Sequence, residues 1–221
     1  MGRRAVLAAA SSLLVAVASV VVFSPPAFAV RSSTWNAFSW NKAGGNIGQH
    51  TTASSTTPTS AHFTFGSSTT SWAALLTSQK TLTGDLGLGT GVTATVTVTA
   101  PGATFTARAT GGCGTAPSVR LYFAAAGSST STGFSTQVWW SNPVAVPLAT
   151  GTFTLTTTLT PTSWSDYNGQ FGNQTATVNA AFDNAVTKVK SIGLSFGGGC
   201  FFENGVASSA GGSFTLTHFG D

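Results

Sequence analysis

The sequence has very few charged side chains, since Asp, Glu, Lys and Arg make up 6% of its 221 residues. Nine basic residues outnumber five acidic ones, but they form no cluster, and two of them, Arg3 and Arg4, lie at the N-terminus. Proteins that bind nucleic acids concentrate their basic residues on one surface. The composition therefore argues against a nucleic-acid partner.

Long apolar runs are absent after residue 23. The single such run, Ala5 to Phe23, follows MGRR and precedes Ala27-Phe28-Ala29. A positive start, an apolar stretch and a small-x-small site characterise an export signal. We therefore expect residues 1–29 to be a signal peptide that is cleaved, and the mature protein to be extracellular and free of the membrane. The alternative is an uncleaved anchor, because the run approaches the length that spans a bilayer.

Cysteine occurs only twice, as Cys113 in GGCG and Cys200 in GGGC. In an exported chain an even pair of cysteines indicates one disulfide. The glycines beside both residues allow two backbones to approach closely. The sequence therefore predicts a Cys113–Cys200 disulfide.

Threonine and serine are abundant and alternate with apolar residues, which is the period of a half-buried strand. Strands are predicted at 61–65, 92–99, 104–110, 118–124, 134–141, 150–160, 188–196 and 213–219. Such strands pack as two antiparallel sheets face to face. We therefore expect an all-β, jelly-roll-like sandwich of about eight to ten strands over residues 60–221. Short helices are predicted within 71–79 and 179–189, and residues 30–59 are predicted to be an N-terminal extension with a polar loop.

The stretch GLSFG at 193–197 matches the G-x-S-x-G pattern of serine hydrolases. A nucleophile elbow requires a strand, a sharp turn at the serine and then a helix. Here the pattern of KVKSIGLSF predicts a strand that runs through Ser195, and three glycines follow it, which disfavours a helix. Ser195 is therefore predicted to be a strand residue, and no catalytic residue is assigned.

The five carboxylates are Asp85, Asp166, Asp183, Glu203 and Asp221. A glycosidase needs two facing carboxylates, and Asp166 with Glu203 is the pair that could serve in a glycan-cleaving enzyme. Turn formation is the favoured interpretation of both residues. No cofactor is predicted, although a structural calcium ion held by loop carbonyls with Asp166 or Asp183 stays open.

The three histidines do not suggest a metal site. His50, His62 and His218 have no ligand spacing and no cysteine beside them. Structural zinc sites combine closely spaced Cys and His ligands. No metal ligands are therefore assigned.

The aromatic residues give a better indication of function. Alternation in VRLYFAA directs Arg120 and Tyr122 outward, and alternation in STQVWWS sets Gln137 and Trp139 opposite Val138 and Trp140. Trp164 and Tyr167 lie in the polar stretch SWSDYNGQFGN. Aromatic rings beside amides and guanidinium groups suit a sugar-binding surface. The predicted ligand-binding residues are Arg120, Tyr122, Gln137, Trp139, Trp164 and Tyr167; the alternative is that these rings fill the ends of the sandwich.

The stretches RLYF, WWSNP, WSDYNGQFG and IGLSFGGGCFFENGV, in this order, resemble secreted bacterial jelly-roll domains of the actinobacterial type. These in turn are similar to carbohydrate-binding modules of the β-sandwich type. The resemblance covers about residues 60 to 219 and implies a sandwich fold and a polysaccharide or cell-wall glycan as partner. It implies no catalytic residues. A structural or interaction protein without a small ligand is the main alternative, and the oligomeric state is left open.

Overall fold

The structure is a computed structural model that describes residues 35–40, 47–55, 57–66, 71–108, 116–125, 133–199, 203 and 205–221. The side chains of Trp40 and of residues 47–52 are not described. Within the described residues the chain is mostly β, with two antiparallel sheets and one α-helix. This confirms the predicted all-β sandwich.

Fourteen strands and one helix are present in the described part of the chain. They are β1 (Trp35–Trp40), β2 (Ile47–Thr52), β3 (Ala61–Phe65), β4 (Ser71–Thr77), β5 (Gly91–Thr99), β6 (Phe105–Ala107), β7 (Ser118–Ala124), β8 (Val138–Ser141), β9 (Val146–Pro147), β10 (Gly151–Thr158), β11 (Trp164–Asp166), α1 (Ala176–Val186), β12 (Ser191–Gly197), β13 (Val206–Ser208) and β14 (Gly212–Gly220). Short 3-10 helices cover Phe134–Thr136 and Pro161–Ser163.

The strands form a large sheet and a small sheet. The large sheet has the order β11-β8-β7-β12-β4-β1-β2, with β13, β6 and β9 paired at its margins. The small sheet has the order β10-β5-β14-β3. The face of the large sheet that is turned toward the small sheet is called the inner face below, and the opposite one the outer face.

The core between the sheets is built from aromatic rings. Phe63 of the small sheet lies 4.9 Å from the ring of Trp72 in β4, and Phe214 lies 5.2 Å from Phe196 in β12. All four residues are buried. Edge-to-face and offset ring pairs stabilise a core beyond the area that they bury.

Helix α1 extends this core beyond the small sheet. Its N-cap is Thr175, whose Oγ1 accepts a hydrogen bond of 3.2 Å from the backbone N–H of Val178. Phe182 is buried and contacts Phe123 and Trp139 on the inner face of the large sheet. The helix predicted within 179–189 is confirmed, with a start that lies three residues earlier.

The helix predicted within 71–79 is wrong, because this stretch forms β4. The strand lies inside the large sheet between β12 and β1, and Trp72, Ala73, Ala74 and Leu75 are all buried. A strand that is covered on both faces shows a continuous apolar run rather than alternation, and such a run resembles a buried helix.

The described part of the predicted N-terminal extension belongs to the sandwich. Strand β1 pairs with β4 and with β2. The indole of Trp35 is fully buried and lies 5.2 Å from the ring of Phe219 in β14. Strands β1 and β2 are therefore part of the large sheet and lie in the same compact unit as the rest of the described strands.

The predicted signal peptide and both cysteines lie outside the described residues. Ser118 and Gly197, which lie a few residues from Cys113 and Cys200 in the sequence, are paired at the ends of β7 and β12. The Cys113–Cys200 disulfide stays a prediction. Among the described residues, no helix combines the length and the apolar character needed to cross a bilayer.

Candidate functional site

The six residues predicted to bind a ligand lie on β7, β8, β11 and their connections. These three strands are neighbours in the large sheet. Tyr122 pairs with Trp140, Phe123 pairs with Trp139, and Trp140 pairs with Ser165. The fold therefore gathers the predicted residues at one side of the molecule, but it distributes them over two faces of the sheet.

Trp139 and Trp164 point into the inner face and do not reach solvent. Both side chains are 0% exposed. The Trp139 ring packs at 5.0 Å against Phe182 of α1, and the Trp164 ring packs at 4.8 Å against Phe123. The Trp164 indole also donates a 2.8 Å hydrogen bond to the carbonyl of Thr158. The expectation that these two rings contact a ligand is therefore wrong.

The error for Trp139 concerns which face of β8 is covered. Val138 and Trp140 do share one face, as the alternation predicts, and Trp139 lies on the other. Helix α1 covers the face that carries Trp139, because Phe182 packs against the Trp139 ring. The polar Gln137 at the start of the stretch suggested that this face was the solvent side.

Four rings meet on the outer face. The Tyr122 and Trp140 rings are 5.2 Å apart, Trp140 and Tyr167 are 6.4 Å apart, and Phe134 and Tyr167 are 5.8 Å apart. Tyr167 is 38% exposed, Tyr122 and Phe134 are half-buried, and Trp140 is buried at 6% exposure. We call these four residues the outer aromatic cluster.

A short loop fixes Tyr167 in the outer aromatic cluster. The Asp166 carboxylate Oδ1 accepts 2.9 Å hydrogen bonds from the backbone N–H groups of Asn168 and Gln170. The backbone N–H of Tyr167 donates to the carbonyl of Ser135 at 3.0 Å, which joins this loop to the segment that carries Phe134. Asp166 thus has the turn-forming role that the sequence favoured.

Burial affects the ionisation of two groups in this region. Desolvation raises the pKa of Asp166, and the hydrogen bonds from Gln170 and Asn168 partly oppose that rise. Desolvation also raises the pKa of Tyr122, further above physiological pH, and its neutral phenol can donate a hydrogen bond.

Ser195 supports the outer aromatic cluster from β12, the strand next to β7. The Trp140 indole Nε1 donates a 3.1 Å hydrogen bond to Ser195 Oγ, and this hydroxyl donates to the carbonyl of Ala73 at 3.4 Å. Ser195 lies inside β12 and is 4% exposed. The prediction that it is a strand residue is confirmed, and its hydroxyl orients a tryptophan.

A buried ion pair lies further along the same face. The Arg120 guanidinium Nε is 3.3 Å from Glu203 Oε1, and both residues are 4% exposed. Glu203 also accepts hydrogen bonds from Ser118 Oγ at 3.4 Å and from the Gly199 backbone N–H at 3.1 Å. Arg120 points outward as predicted, but its burial keeps it from being a ligand contact.

Desolvation dominates the ionisation of this pair as well. It raises the pKa of Glu203, against the opposing effects of Arg120 and of the hydrogen bonds from Gly199 and Ser118. It lowers the pKa of Arg120, against the opposing charge of Glu203. Burial disfavours the charged forms of Arg120 and Glu203, and the attraction between the two charges offsets part of that cost.

The structure does not bring Asp166 and Glu203 together. Glu203 contacts Ser118 at the start of β7, whereas Asp166 pairs with Trp139, which in turn pairs with Phe123 near the end of β7. Five residues of strand span about 16 Å. The two carboxylates of a glycosidase are about 5 to 9.5 Å apart, so this pair cannot act across one glycosidic bond.

The histidines lie away from the outer aromatic cluster. His62 and His218 are exposed on the small sheet, where His62 Nδ1 lies 3.1 Å from Thr215 Oγ1. The side chain of His50 lies outside the described residues. Within the described ranges, no three His, Cys, Asp or Glu side chains form a group that could hold a metal. The calcium ion at Asp166 or Asp183 stays a prediction.

Neither a scan against protein-family models nor a search of curated proteins finds a match to this chain. The resemblance to β-sandwich carbohydrate-binding modules therefore stays a prediction. Because a fold by itself does not define a function, any assignment has to come from the site.

Two members of the outer aromatic cluster, Phe134 and Trp140, were missed from sequence. Phe134 follows Gly133 in a polar stretch and lies in a 3-10 helix rather than in the predicted strand. Trp140 could have been found from pairing: it lies directly opposite Tyr122 on the adjacent strand, and Tyr122 was correctly predicted to point outward.

Proposed function

We propose that this protein is a secreted, non-catalytic β-sandwich that binds a polysaccharide or a cell-wall glycan through the outer aromatic cluster. The observation that carries this proposal is the set of four rings on the outer face, of which Tyr167 is 38% exposed. The face of a pyranose that carries C–H groups packs on aromatic rings, and sites of this kind combine apolar surface with a few placed polar groups.

The polar groups lie on the two segments that carry the outermost rings. Asn168 is exposed and directly follows Tyr167, and Gln137 is half-buried and follows the 3-10 helix that contains Phe134. Amide side chains both donate and accept hydrogen bonds, which suits the hydroxyls around a sugar ring. The arrangement supports a site in which the aromatic rings contact the apolar face of a sugar and the amides bond its hydroxyl groups.

The outer aromatic cluster is held in place before any ligand arrives. Trp140 is fixed by its hydrogen bond to Ser195, and Tyr167 is fixed by the loop that Asp166 closes. Aromatic side chains have few rotatable bonds, so binding costs little conformational entropy when they are already ordered. This rigidity favours recognition of an extended, repetitive surface.

The direct test is retention of the purified protein on insoluble chitin, cellulose, xylan and peptidoglycan, with competition by the matching soluble oligosaccharide. Tyr167→Ala should weaken retention about tenfold or more, because it removes the exposed ring. Tyr167→Phe should keep most of the retention, because the ring remains. Thr154→Ala, at an exposed position of the small sheet, is the matched control and should behave as the parent protein.

Two results would contradict the proposal. Retention that is unchanged in Tyr167→Ala would move any binding site away from the outer aromatic cluster. Failure of the parent protein to bind all four glycans would favour the alternative, a structural or interaction protein without a small ligand.

A further inference from the structure

A cleft unrelated to the outer aromatic cluster opens between the β4–β5 connection and the end of β14. Its volume is about 350 Å³, within the range of small-ligand sites. Ile192 and Phe219 form part of its floor and are 2% and 1% exposed, and Leu86 adds a half-buried side chain. These three side chains give the cleft an apolar part, and Thr81 and Thr83 line another part of it.

An exposed leucine stands at the rim of this cleft. Leu88 is 89% exposed. A single exposed apolar residue is ordinary on a protein surface. This one lines the cleft, and its neighbours in the sequence are Gly87 and Gly89. Any molecule that fills the cleft also gains the uncovered surface of Leu88.

The loop that carries Leu88 is anchored on both sides. Gly84 and Val189 exchange two backbone hydrogen bonds of 2.8 Å, and the backbone N–H of Leu86 donates at 2.9 Å to the carbonyl of Val186 in α1. The N–H of Gly89 donates back to the carbonyl of Leu86 at 2.9 Å. The position of Leu88 is thus built into the fold.

Two carboxylates flank Leu88. The backbone N–H of Gly87 donates to Asp85 Oδ1 at 2.9 Å. An ideal Cβ placed on Gly89 would lie 3.6 Å from Asp221 Oδ1. In the part of the chain that the structure describes, neither carboxylate forms an ion pair with a basic side chain. Among the described residues, the rim therefore carries two carboxylates without a basic partner next to the apolar part of the cleft.

We infer that this cleft binds a small amphipathic cation, with its aliphatic or aromatic body on the floor and against Leu88 and its ammonium group between Asp85 and Asp221. A neutral apolar ligand would leave both carboxylates without a counter-charge. A second copy of the chain docked by the same face would bring four carboxylates together, and this repulsion disfavours a symmetric dimer at the site.

The test uses n-hexylammonium as the probe and 1-hexanol as its neutral counterpart, each titrated into the purified protein. Binding is followed through the NMR signals of the Gly87 and Gly89 amides. Hexylammonium should bind at least about tenfold more tightly than hexanol. Asp85→Asn and Asp221→Asn should each weaken hexylammonium and leave hexanol unchanged, and Leu88→Ser should weaken both probes.

Asp183→Asn is the matched control, since Asp183 is an exposed carboxylate on α1 outside the cleft, and it should change nothing. Equal affinity for the two probes, or no response of the two glycine amides at saturating probe, would overturn the inference. Sedimentation that shows a dimer abolished by Leu88→Ser would also overturn it, because the cleft would then be an interface between copies.

Discussion

The outer faces of the two sheets differ in almost every respect. On the small sheet, threonines of β5 and β10 face solvent and bond to one another in pairs. On the large sheet, the outer face holds a buried ion pair, a buried serine and a buried tryptophan. The threonine pairs are Thr93–Thr156 at 3.2 Å, Thr95–Thr154 at 3.3 Å and Thr97–Thr152 at 3.0 Å.

This difference shows when alternation identifies the solvent side of a strand. From Val92 to Thr99 in β5, buried Val or Ala residues alternate strictly with threonines, so the contrast between the two faces is complete. In β8 all four residues are buried, and both faces are apolar. Alternation then still separates two faces, but it no longer tells which of them is the core.

The sharpest way to test this comparison is to truncate one aromatic ring on the inner face and one on the outer face of the large sheet. Trp139→Ala should lower the free energy of unfolding by about 3–5 kcal/mol, because it leaves a cavity between β8 and α1. Tyr167→Ala should cost less than about 1 kcal/mol, because its ring is largely at the surface. Urea denaturation of the two variants measures both changes, and comparable losses would show that the inner and outer rings are not distinct in packing.

The ion pair of the large sheet should give the next largest effect. Glu203→Gln keeps an acceptor for Ser118 and Gly199 but removes the negative charge that lies 3.3 Å from the buried Arg120 guanidinium. We expect a loss of about 2–3 kcal/mol in the free energy of unfolding. The double variant Arg120→Met with Glu203→Gln removes both charges and should recover much of this loss. A double variant that is as unstable as the sum of two single losses would contradict a coupled pair.

The threonine face should give the smallest effect. Thr154→Ala removes one solvent-facing cross-strand pair with Thr95 and should cost about 0.2–1 kcal/mol. The same chemical denaturation applies, with Thr59→Ala in the connection before β3 as a control outside the sheets. A loss above about 2 kcal/mol would mean that the threonine face is packed against something rather than solvated.

Much of the fold is predictable from sequence because the small sheet obeys a simple period. The predicted stretches 61–65, 92–99, 150–160 and 213–219 correspond to its four strands. The sequence does not reveal β1 as part of the large sheet. Its pairing partner β4 is buried on both faces, and its continuous apolar run is therefore predicted as a helix. Such pairings are non-local, and no property of either segment alone encodes them.

The candidate site is predictable only in part. Tyr122 points outward as its alternation predicts, and Tyr167, which was predicted to lie in a polar loop, is 38% exposed and contacts Trp140. The predictions for Trp139 and Trp164 are wrong, because Trp139 is covered by α1 and Trp164 packs against a phenylalanine of β7, and both contacts are tertiary. The proposed contact surface, with Tyr167 as its exposed ring, therefore lies on the outer face, opposite to the face of β8 that carries Trp139.

The last described strand, β14, lies inside the small sheet, between β5 and β3. It pairs with residues near the start of the described chain, as in the contact between His62 and Thr215, and Phe219 packs on Trp35. Contacts between residues so distant in sequence form slowly. A polypeptide synthesised from its N-terminus therefore cannot complete the small sheet until residues 212–220 have been released.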